Sequence, residues 1–207
     1  VGAFLSSGEH RDVYARVYSL GEAIKGRVIA YDSSTTVATS AGYPYVFHTQ
    51  GRRGKSNFIH TLPDGRCGFV DSSGGRLAEK EYNTFLDLAK KKIRPYVLYM
   101  ECLKDETRPL EKIAQAKTRT ISVSPLSATL VSKQYTQGFA SFLMYHHTWN
   151  GISVGIAPPT MDWDHLARDL LRHPNWICGD FEGWDSRLHP FLITNCYRSI
   201  LERFYDN

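Results

Sequence analysis

Two carboxylates late in the chain, Asp180 and Asp185, have the types and the spacing that could do chemistry. An apolar run at 176–178 precedes them and predicts a short buried strand. Gly183 lies between them and favours a turn that returns the second carboxylate toward the first. Such a pair could hold a divalent cation together with a polar group of a substrate. Asp is also common in solvated turns at strand ends, so the pair alone leaves both interpretations open.

A second stretch, residues 104–121, alternates cations with anions between two segments that are predicted to be strands, 96–103 and 118–123. The pattern predicts a charged, hairpin-like arm. Its Lys and Arg side chains could point at a polyphosphate, with the neighbouring anions holding them in place. The alternative is a solvated surface with many weak salt bridges.

A third stretch, residues 39–45, combines small residues with a Gly and with a Pro between two tyrosines. This composition predicts a tight loop whose backbone can approach another chain and whose rings can stack on bases. An ordinary turn with packed aromatic rings is the alternative. The basic, Gly-rich segment that follows at 51–55 could contact phosphates or form a solvated loop.

The composition sets limits on the class of protein. The chain has 207 residues, is 42% hydrophobic and carries a formal net charge of +4, which suits a globular fold and permits an anionic partner. The four cysteines show no C-x-x-C spacing, and we interpret them as reduced core thiols of an intracellular protein. No stretch is long and apolar enough to span a membrane. We therefore expect a cytosolic protein whose membrane association, if any, comes through partners.

The elements that must position these residues are helices and short hairpins. A capping box at Ser19 predicts a helix that ends at Lys25, and apolar periodicity predicts further helices at 78–93, after Ser124-Pro125 and after Thr160. A hairpin is predicted around 63–65. Pro190 begins a final helix whose apolar face needs covering, so the chain by itself should expose apolar surface there.

Four stretches, in this order and with these separations, resemble the RNA-dependent RNA polymerases of picorna-like positive-strand RNA viruses, with the dicistrovirus and iflavirus type as the nearest match. They are Thr39-Ser40-Ala41-Gly42-Tyr43-Pro44, Leu103 to Pro109 with Lys117-Thr118-Arg119, Ser153 to Ile156, and Gly179-Asp180-Phe181 to Pro190. The family's Ser-Gly-x-x-x-Thr stretch and its Gly-Asp-Asp are absent. The resemblance therefore implies an α/β (α+β) piece of a right-hand polymerase that ends before palm motifs B and C.

The resemblance also implies a role for each stretch. Asp180 would be the first catalytic aspartate of palm motif A and would bind Mg²⁺ (or Mn²⁺) together with the backbone carbonyl of Phe181. Asp185 would recognise the ribose 2′-hydroxyl. The basic arm, motif F, would hold the nucleoside triphosphate through Lys104, Arg108, Lys112 and Arg119. The loop, motif G, would steer the template strand through Thr39, Ser40, Gly42, Tyr43 and Pro44.

On this resemblance, residues 1–175 would be fingers, with the template loop at 39–45 and the basic arm at 104–121, and residues 176–207 would be the first strand and helix of the palm. The partners would be RNA template and primer, ribonucleoside triphosphates, the remaining palm and thumb, and other viral replication proteins. The location would be the host cytoplasm, at membrane-associated replication complexes reached through partners. Two alternatives stay open: an RNA- or nucleotide-binding module without catalysis, and a metal-dependent phosphohydrolase built on the aspartate pair.

Overall fold

The computed structural model describes residues 8–49, 51–148, 150–157 and 159–205. Its helices are α1 (Gly8–Tyr14), α2 (Leu20–Lys25), α3 (Ser73–Lys90), α4 (Leu110–Ala114), α5 (Leu126–Tyr145), α6 (Asp162–Leu170), α7 (Trp184–Arg187) and α8 (Pro190–Tyr205), with a 3₁₀ turn at Tyr45–His48. Its strands are β1 (Ile59–Thr61), β2 (Cys67–Phe69), β3 (Met100–Leu103) and β4 (Thr120–Val123). The described chain is therefore mainly helical with two small sheets.

The chain divides into two compact units. The first unit contains residues 18–27 and 33–135, and the second contains the described residues of 1–17, 28–32 and 136–207. Helix α5 contributes its first half to the first unit and its second half to the second. Each unit has its own buried cluster.

The core of the first unit lies between α2, α3, the β1–β2 hairpin and the start of α5. Its fully or almost fully buried members are Ala23, Ile24, Ala41, Tyr45, Phe58, Ile59, Ala78, Tyr82, Leu126 and Leu130. The predicted hairpin around 63–65 is confirmed: β1 pairs antiparallel with β2, with Ile59 opposite Phe69. This core includes Ala41 and Tyr45 of the loop at 39–45, and Leu126, which follows β4 along the chain.

Side-chain caps set the first residues of helices α2 and α3. The capping box at α2 is confirmed, since Ser19 Oγ accepts from Glu22 N at 3.2 Å and Ser19 N donates to the Glu22 carboxylate at 2.9 Å. Helix α3 begins at Ser73, earlier than the predicted residue 78, because Ser72 Oγ accepts from Gly75 N at 3.0 Å and caps the helix. The two glycines in that first turn have low helix propensity, which hid it from the sequence pattern.

The charged arm is an antiparallel hairpin, as predicted. Strand β3 pairs with β4 in the register Met100 opposite Val123 and Leu103 opposite Thr120, and the short helix α4 closes the tip. The first strand is shorter than the predicted 96–103, since residues 93–99 have no regular structure. The arm thus places its charged residues at and beyond the paired ends of two strands.

In the second unit, the buried cluster consists of Tyr14, Phe142 and Phe204, with partly buried neighbours around it. The tilted rings of Phe142 and Phe204 pack with their centroids 5.2 Å apart, which joins the second half of α5 to the end of α8. The rest of α8 is less covered: Phe191, Leu192, Ile193 and Tyr197 are exposed. The prediction of exposed apolar surface on the final helix is confirmed.

The strand predicted at 176–178 is wrong for this structure. Trp176 and Ile177 are exposed, and the segment has no strand geometry. A strand is stable only where a partner strand takes up its backbone N–H and C=O groups, and none of the described residues pairs with this segment. The apolar residues of this segment are typical of a buried strand. However, the described residues include no neighbouring strand that could pair with it, and composition does not report such a strand.

The cysteine prediction is half right. All four cysteines are free thiols, but none is fully buried, and Cys178 and Cys196 are exposed. Within the described part of the chain, every helix is too short or too polar to cross a bilayer.

Candidate functional site

The basic arm converges on one carboxylate, Glu106. Lys104 Nζ lies 3.0 Å from Glu106 Oε2 and Arg108 Nε lies 2.8 Å from Oε1. Arg119 makes a bidentate contact with the Glu106 carboxylate: Nε donates to Oε1 at 2.7 Å, and a second guanidinium nitrogen contacts Oε2. Three cations from two chain segments thus share one anion, which neutralises only part of their charge.

The hairpin explains this convergence. Lys104 N donates to Arg119 O at 2.9 Å, so these two residues face each other just beyond the paired ends of β3 and β4. The chain from 104 to 108 is not helical, and in extended backbone alternate side chains point to the same side. Lys104, Glu106 and Arg108 therefore project together, and Arg119 joins them from across the hairpin.

The electrostatics follow from these contacts. The hydrogen bonds from Arg119, with help from Lys104 and Arg108, lower the pKa of Glu106 from its ordinary 4.5 to about 2. The same ion pair raises the pKa of Arg119. The Glu106 side chain is 16% exposed, whereas those of Lys104 and Arg119 are 42% and 57% exposed. The Glu106 carboxylate is therefore largely covered, whereas Lys104 and Arg119 remain accessible to a ligand from solvent.

Lys112, which the sequence grouped with these cations, lies on α4 at the tip of the arm. Its side chain is exposed, and among the described residues it has no ion-pair partner. The structure therefore brings together three of the four cations predicted to hold the triphosphate and leaves Lys112 apart from them.

The template loop, residues 39–45, is anchored against the start of α5. Ala41 is buried and its carbonyl accepts from Leu126 N at 2.9 Å, while Gly42 N donates to Ser40 Oγ at 3.1 Å. Gly42 has a positive φ of 76°, and a Cβ placed there would lie 2.6 Å from Ser124 O. Only glycine allows the loop to approach the neighbouring backbone this closely.

The two tyrosines of the loop have opposite surroundings. Tyr45 is fully buried, and its hydroxyl contacts the Glu81 carboxylate and lies 2.9 Å from Ser127 Oγ. Burial and the adjacent Glu81 raise its pKa. Tyr43 is 42% exposed and packs edge-on against Phe47, which is also exposed, at 6.0 Å between centroids. One ring anchors the loop, and the other is available for contact with a partner.

A cleft of about 390 Å³ lies beside the loop. Its lining includes Ala38, Ser40 and Ala41, together with Gly51-Arg52-Arg53-Gly54. Arg52 and Arg53 are exposed, as a basic tip requires, but Lys55 is buried and points inward. The sequence prediction of a phosphate-contacting or solvated tip is therefore untested for the two arginines and wrong for the lysine.

The aspartate segment is an exposed part of the candidate site. Gly183 has a left-handed φ of 60° and turns the chain into α7, as predicted, and Asp185 Oδ1 accepts from Ser186 N at 3.0 Å. Asp180, Phe181 and Asp185 are all exposed. The turn between the two aspartates is thus formed without a buried pocket around them.

Carboxylate and carbonyl oxygens are the ligands that Mg²⁺ prefers, so the donor types of Asp180 and Phe181 suit that ion. However, the described residues contain no group of three or more His, Cys, Asp or Glu placed to hold a metal. A divalent cation at Asp180 therefore needs further ligands that these residues do not supply.

With the arm, the loop and the aspartate turn in place, the class of protein is defined. The chain belongs to the viral RNA-dependent RNA polymerase family, whose model matches residues 17–207. The resemblance drawn from its four ordered stretches is confirmed.

Its relatives are parts of viral polyproteins. The chain is 28% identical to the replicase polyprotein of acute bee paralysis virus over 204 residues, and 31% identical to that of cricket paralysis virus over 168 residues. The alignments cover 95% and 80% of this chain but only 10% and 9% of those polyproteins. The chain thus spans about a tenth of the length of these relatives.

A solved structure, the Sicinivirus 3Dpol RNA-dependent RNA polymerase, has the same fold over the matched part. The TM-score is 0.59 at 23% identity, and the match covers 76% of this chain and 30% of that one. The α+β, right-hand-polymerase fold class predicted from the sequence is confirmed.

Two residues that the sequence reasoning did not single out are central to this geometry. Glu106 was one of several anions in the arm, and the signal that could have found it is its position between two cations at alternate residues, 104 and 108. Lys55 belonged to a basic cluster, and nothing in its immediate sequence distinguishes it from its neighbours Arg52 and Arg53.

Proposed function

We propose that this chain is part of a viral RNA-directed RNA polymerase that adds ribonucleotides to an RNA primer on an RNA template. The observation that carries the proposal is the convergence of Lys104, Arg108 and Arg119 on Glu106 in a chain of this family. Partly exposed cations held in fixed positions suit a triphosphate, whose charge they can share.

In this proposal the arm binds the incoming nucleotide. Arg119 offers a planar guanidinium that one carboxylate already orients, so little conformational entropy is lost when it binds a phosphate. Lys104, which the same carboxylate holds, adds a compact point charge on the same side of the hairpin. Lys112, at the tip, contributes a longer-range attraction rather than an ordered contact.

Asp180 would hold divalent cations, Mg²⁺ or Mn²⁺, with the carbonyl of Phe181 and with ligands from outside the described residues. Two such ions, when bound, would activate the primer 3′-hydroxyl and stabilise the pyrophosphate leaving group. The exposed carboxylate of Asp180 supports this role, because no described neighbour competes for its oxygens. Since the family's Gly-Asp-Asp stretch is not in the chain, we propose that the chain alone does not catalyse the transfer.

Asp185 would accept a hydrogen bond from the ribose 2′-hydroxyl, the group that separates a ribonucleotide from a deoxyribonucleotide. The template loop would guide the template strand, with the backbone of 39–42 close to the strand and the exposed ring of Tyr43 stacked on a base. The anchoring of this loop to α5 supports a fixed guide rather than a mobile one.

We propose that fingers occupy residues 1–175 and that the palm begins at 176, and that the remaining palm and thumb complete the enzyme. The further partners would be RNA template and primer, ribonucleoside triphosphates and other viral replication proteins. The site of action would be the host cytoplasm, at membrane-associated replication complexes reached through those partners.

The experiment is primer extension by the polymerase that contains this chain in full. Asp180→Asn should reduce incorporation by more than the roughly 10–100-fold that loss of an outer-shell partner of a metal ligand costs, while RNA affinity stays within about twofold. Glu182→Gln is the matched control, since Glu182 is an exposed neighbour whose described contact is a 3.5 Å surface pair with Arg187.

If Asp180→Asn extends primers as well as the parent, the catalytic role of Asp180 is wrong. Salt-sensitive RNA binding without extension by the parent protein would favour the non-catalytic binding module instead. Release of inorganic phosphate without nucleotide incorporation would favour the phosphohydrolase.

A further inference from the structure

Lys55 is the buried lysine of the first unit, and its surroundings are unusual for a residue in a basic, Gly-rich segment. The residue is only 6% exposed. Its ammonium donates to Thr36 O and Thr39 O at 3.1 Å each and also contacts Thr39 Oγ1. An ammonium has three donors, so all of them are used within one short stretch of chain.

The acceptors form a closed network. Thr39 Oγ1 donates to Thr36 O at 3.1 Å, so that carbonyl receives both the threonine hydroxyl and the lysine. The Lys55 ammonium therefore fixes the turn at 36–39 from inside, at both of its ends. Thr39 is also the first residue of the template loop.

The backbone next to Lys55 holds the same stretch. Lys55 N donates to Val37 O at 2.6 Å. Gly54 has a φ of 92°, and a Cβ there would lie 2.3 Å from Val37 O, so the two segments are in direct backbone contact. Residues 54–55 thus bind the turn through one side chain and one amide.

The charge of Lys55 is balanced by carbonyl dipoles rather than by a carboxylate, since no ion pair of Lys55 occurs among the described residues. Burial in this setting lowers its pKa. A buried charge of this kind is costly unless its hydrogen bonds are satisfied, and here every one of them ends on the turn before the loop. The arrangement favours a dedicated support of the loop over a general contribution to the core.

We propose that Lys55 is a positioning residue that fixes the entry to the template loop, through its ammonium hydrogen bonds to Thr36 and Thr39, and thereby sets the affinity for the template strand. This inference rests on the proposed role of the loop in template binding. Lys55 acts on the RNA through the loop and not by touching a phosphate.

The test uses the polymerase that contains this chain in full, with a labelled primer–template RNA whose Kd is measured by fluorescence anisotropy at several salt concentrations. Lys55→Met keeps the length of the side chain and removes its hydrogen bonds. We expect about a tenfold rise in Kd, because charge-assisted hydrogen bonds that order the loop are lost, with an unchanged slope of log Kd against log salt. KM for the nucleotide in preassembled complexes should stay within about twofold.

Lys133→Met is the matched control. Lys133 also donates to a carbonyl, Ser33 O at 2.7 Å, and lies 3.5 Å from Thr35 Oγ1, and both acceptors precede the turn at 36–39. Its Kd should stay within about twofold of the parent. An equal rise in Kd for Lys133→Met would overturn the proposal, because the effect would then be general destabilisation.

Two further readouts separate the possible failures. A salt slope reduced by about 0.9 in Lys55→Met would show a lost phosphate contact and overturn the positioning role. If Lys55→Met fails to fold, Thr39→Val removes one acceptor and keeps the lysine; an unchanged Kd in that variant would equally overturn it.

Tyr43→Ala distinguishes this inference from the proposed function. If Tyr43→Ala weakens RNA binding and Lys55→Met does not, only the role of Lys55 is wrong. If neither variant changes Kd, the assignment of the loop to the template is wrong as well.

Discussion

The template loop and the aspartate segment are two parts of one proposed polymerase, yet they are organised in opposite ways. The loop is held by a buried tyrosine, a buried lysine and a glycine in backbone contact with the start of α5. The aspartate segment has an ordered turn at Gly183, but Asp180, Phe181 and Asp185 are exposed around it. The difference lies in where each segment finds its hydrogen-bonding and packing partners.

This contrast shows which part of a site a chain segment can organise by itself. The proposed guidance of the RNA template would require a rigid surface, and the core of the first unit holds the loop through Ala41 and Tyr45. Binding a cation through several carboxylates requires ligands from several segments, and the described residues supply only part of that set. We therefore expect substitutions in the loop to change thermal stability and RNA affinity. Substitutions of the aspartates should change the kinetics of nucleotide incorporation and leave stability unchanged.

Among the tests of this contrast, we expect the largest effect from substitution of Asp185, on the choice between ribonucleotides and deoxyribonucleotides. Asp185→Ala should lower the preference for ribonucleotides over deoxyribonucleotides by at least about 100-fold, because a site built to hydrogen-bond a hydroxyl discriminates strongly against its absence. The ratio of kcat/KM for the two substrates, measured with the full polymerase, is the readout. Thermal stability should not change, and an unchanged ratio would contradict the assignment.

A pair of glycine substitutions tests the contrast in stability. Gly42→Ala should destabilise the polymerase by about 1–3 kcal/mol, because it places a side chain at positive φ against the backbone of Ser124. Gly179→Ala should stay within about 0.5 kcal/mol, since no atom lies within 4 Å of the added Cβ. Thermal unfolding measures both. Equal destabilisation would show that the aspartate segment is packed as tightly in the full polymerase as the loop is.

Substitution of Glu106 in the arm should change nucleotide incorporation by an intermediate amount. Glu106→Gln keeps the shape of the side chain but removes the charge that orders three cations, so kcat/KM for nucleotides should fall about tenfold through their misplacement. Asp105→Asn, one residue away, is the control, and steady-state incorporation kinetics provide the measurement. A rise in kcat/KM would show that Glu106 competes with the triphosphate rather than positioning its ligands.

The smallest effect concerns pH. The pKa of Glu106 is lowered in the folded arm, so its stabilising contribution is complete above the ordinary value of 4.5 and is lost as the pH falls toward about 2. Amide hydrogen exchange of residues 104–121 should therefore be insensitive to this group between pH 5 and 8, once corrected for intrinsic rates, and should rise below about pH 4. An exchange transition centred near neutral pH would show that another group orders the arm.

Much of the fold was predictable because its signals are local. The capping box at Ser19, the hairpin around 63–65 and the helix that begins at Pro190 each depend on neighbouring residues. The strand predicted at 176–178 does not form in this structure, because a strand depends on more than local signals. Its apolar residues are correct for a buried strand, but pairing is a property of two segments, and composition reports only one of them.

In the candidate site, too, features that depend on neighbouring residues were predicted, and features that depend on long-range contacts were not. The cations of the arm were predicted, whereas the dominant role of Glu106 depends on the cross-strand neighbours Lys104 and Arg119, which are fifteen positions apart in the sequence. Lys55 was missed because burial of a lysine depends on the carbonyl groups around it. Such contacts are long-range, and a residue pattern within one stretch contains no record of them.

The opposite surroundings of Tyr43 and Tyr45 have a consequence for how the loop can change in evolution. Tyr45 and Gly42 are fixed by the packing behind the loop, so substitutions at either are paid for in folding. Tyr43 and Phe47 face outward, and their replacement leaves that packing intact. If the loop binds template RNA as proposed, substitutions at these two positions can change RNA affinity without a compensating change in the core.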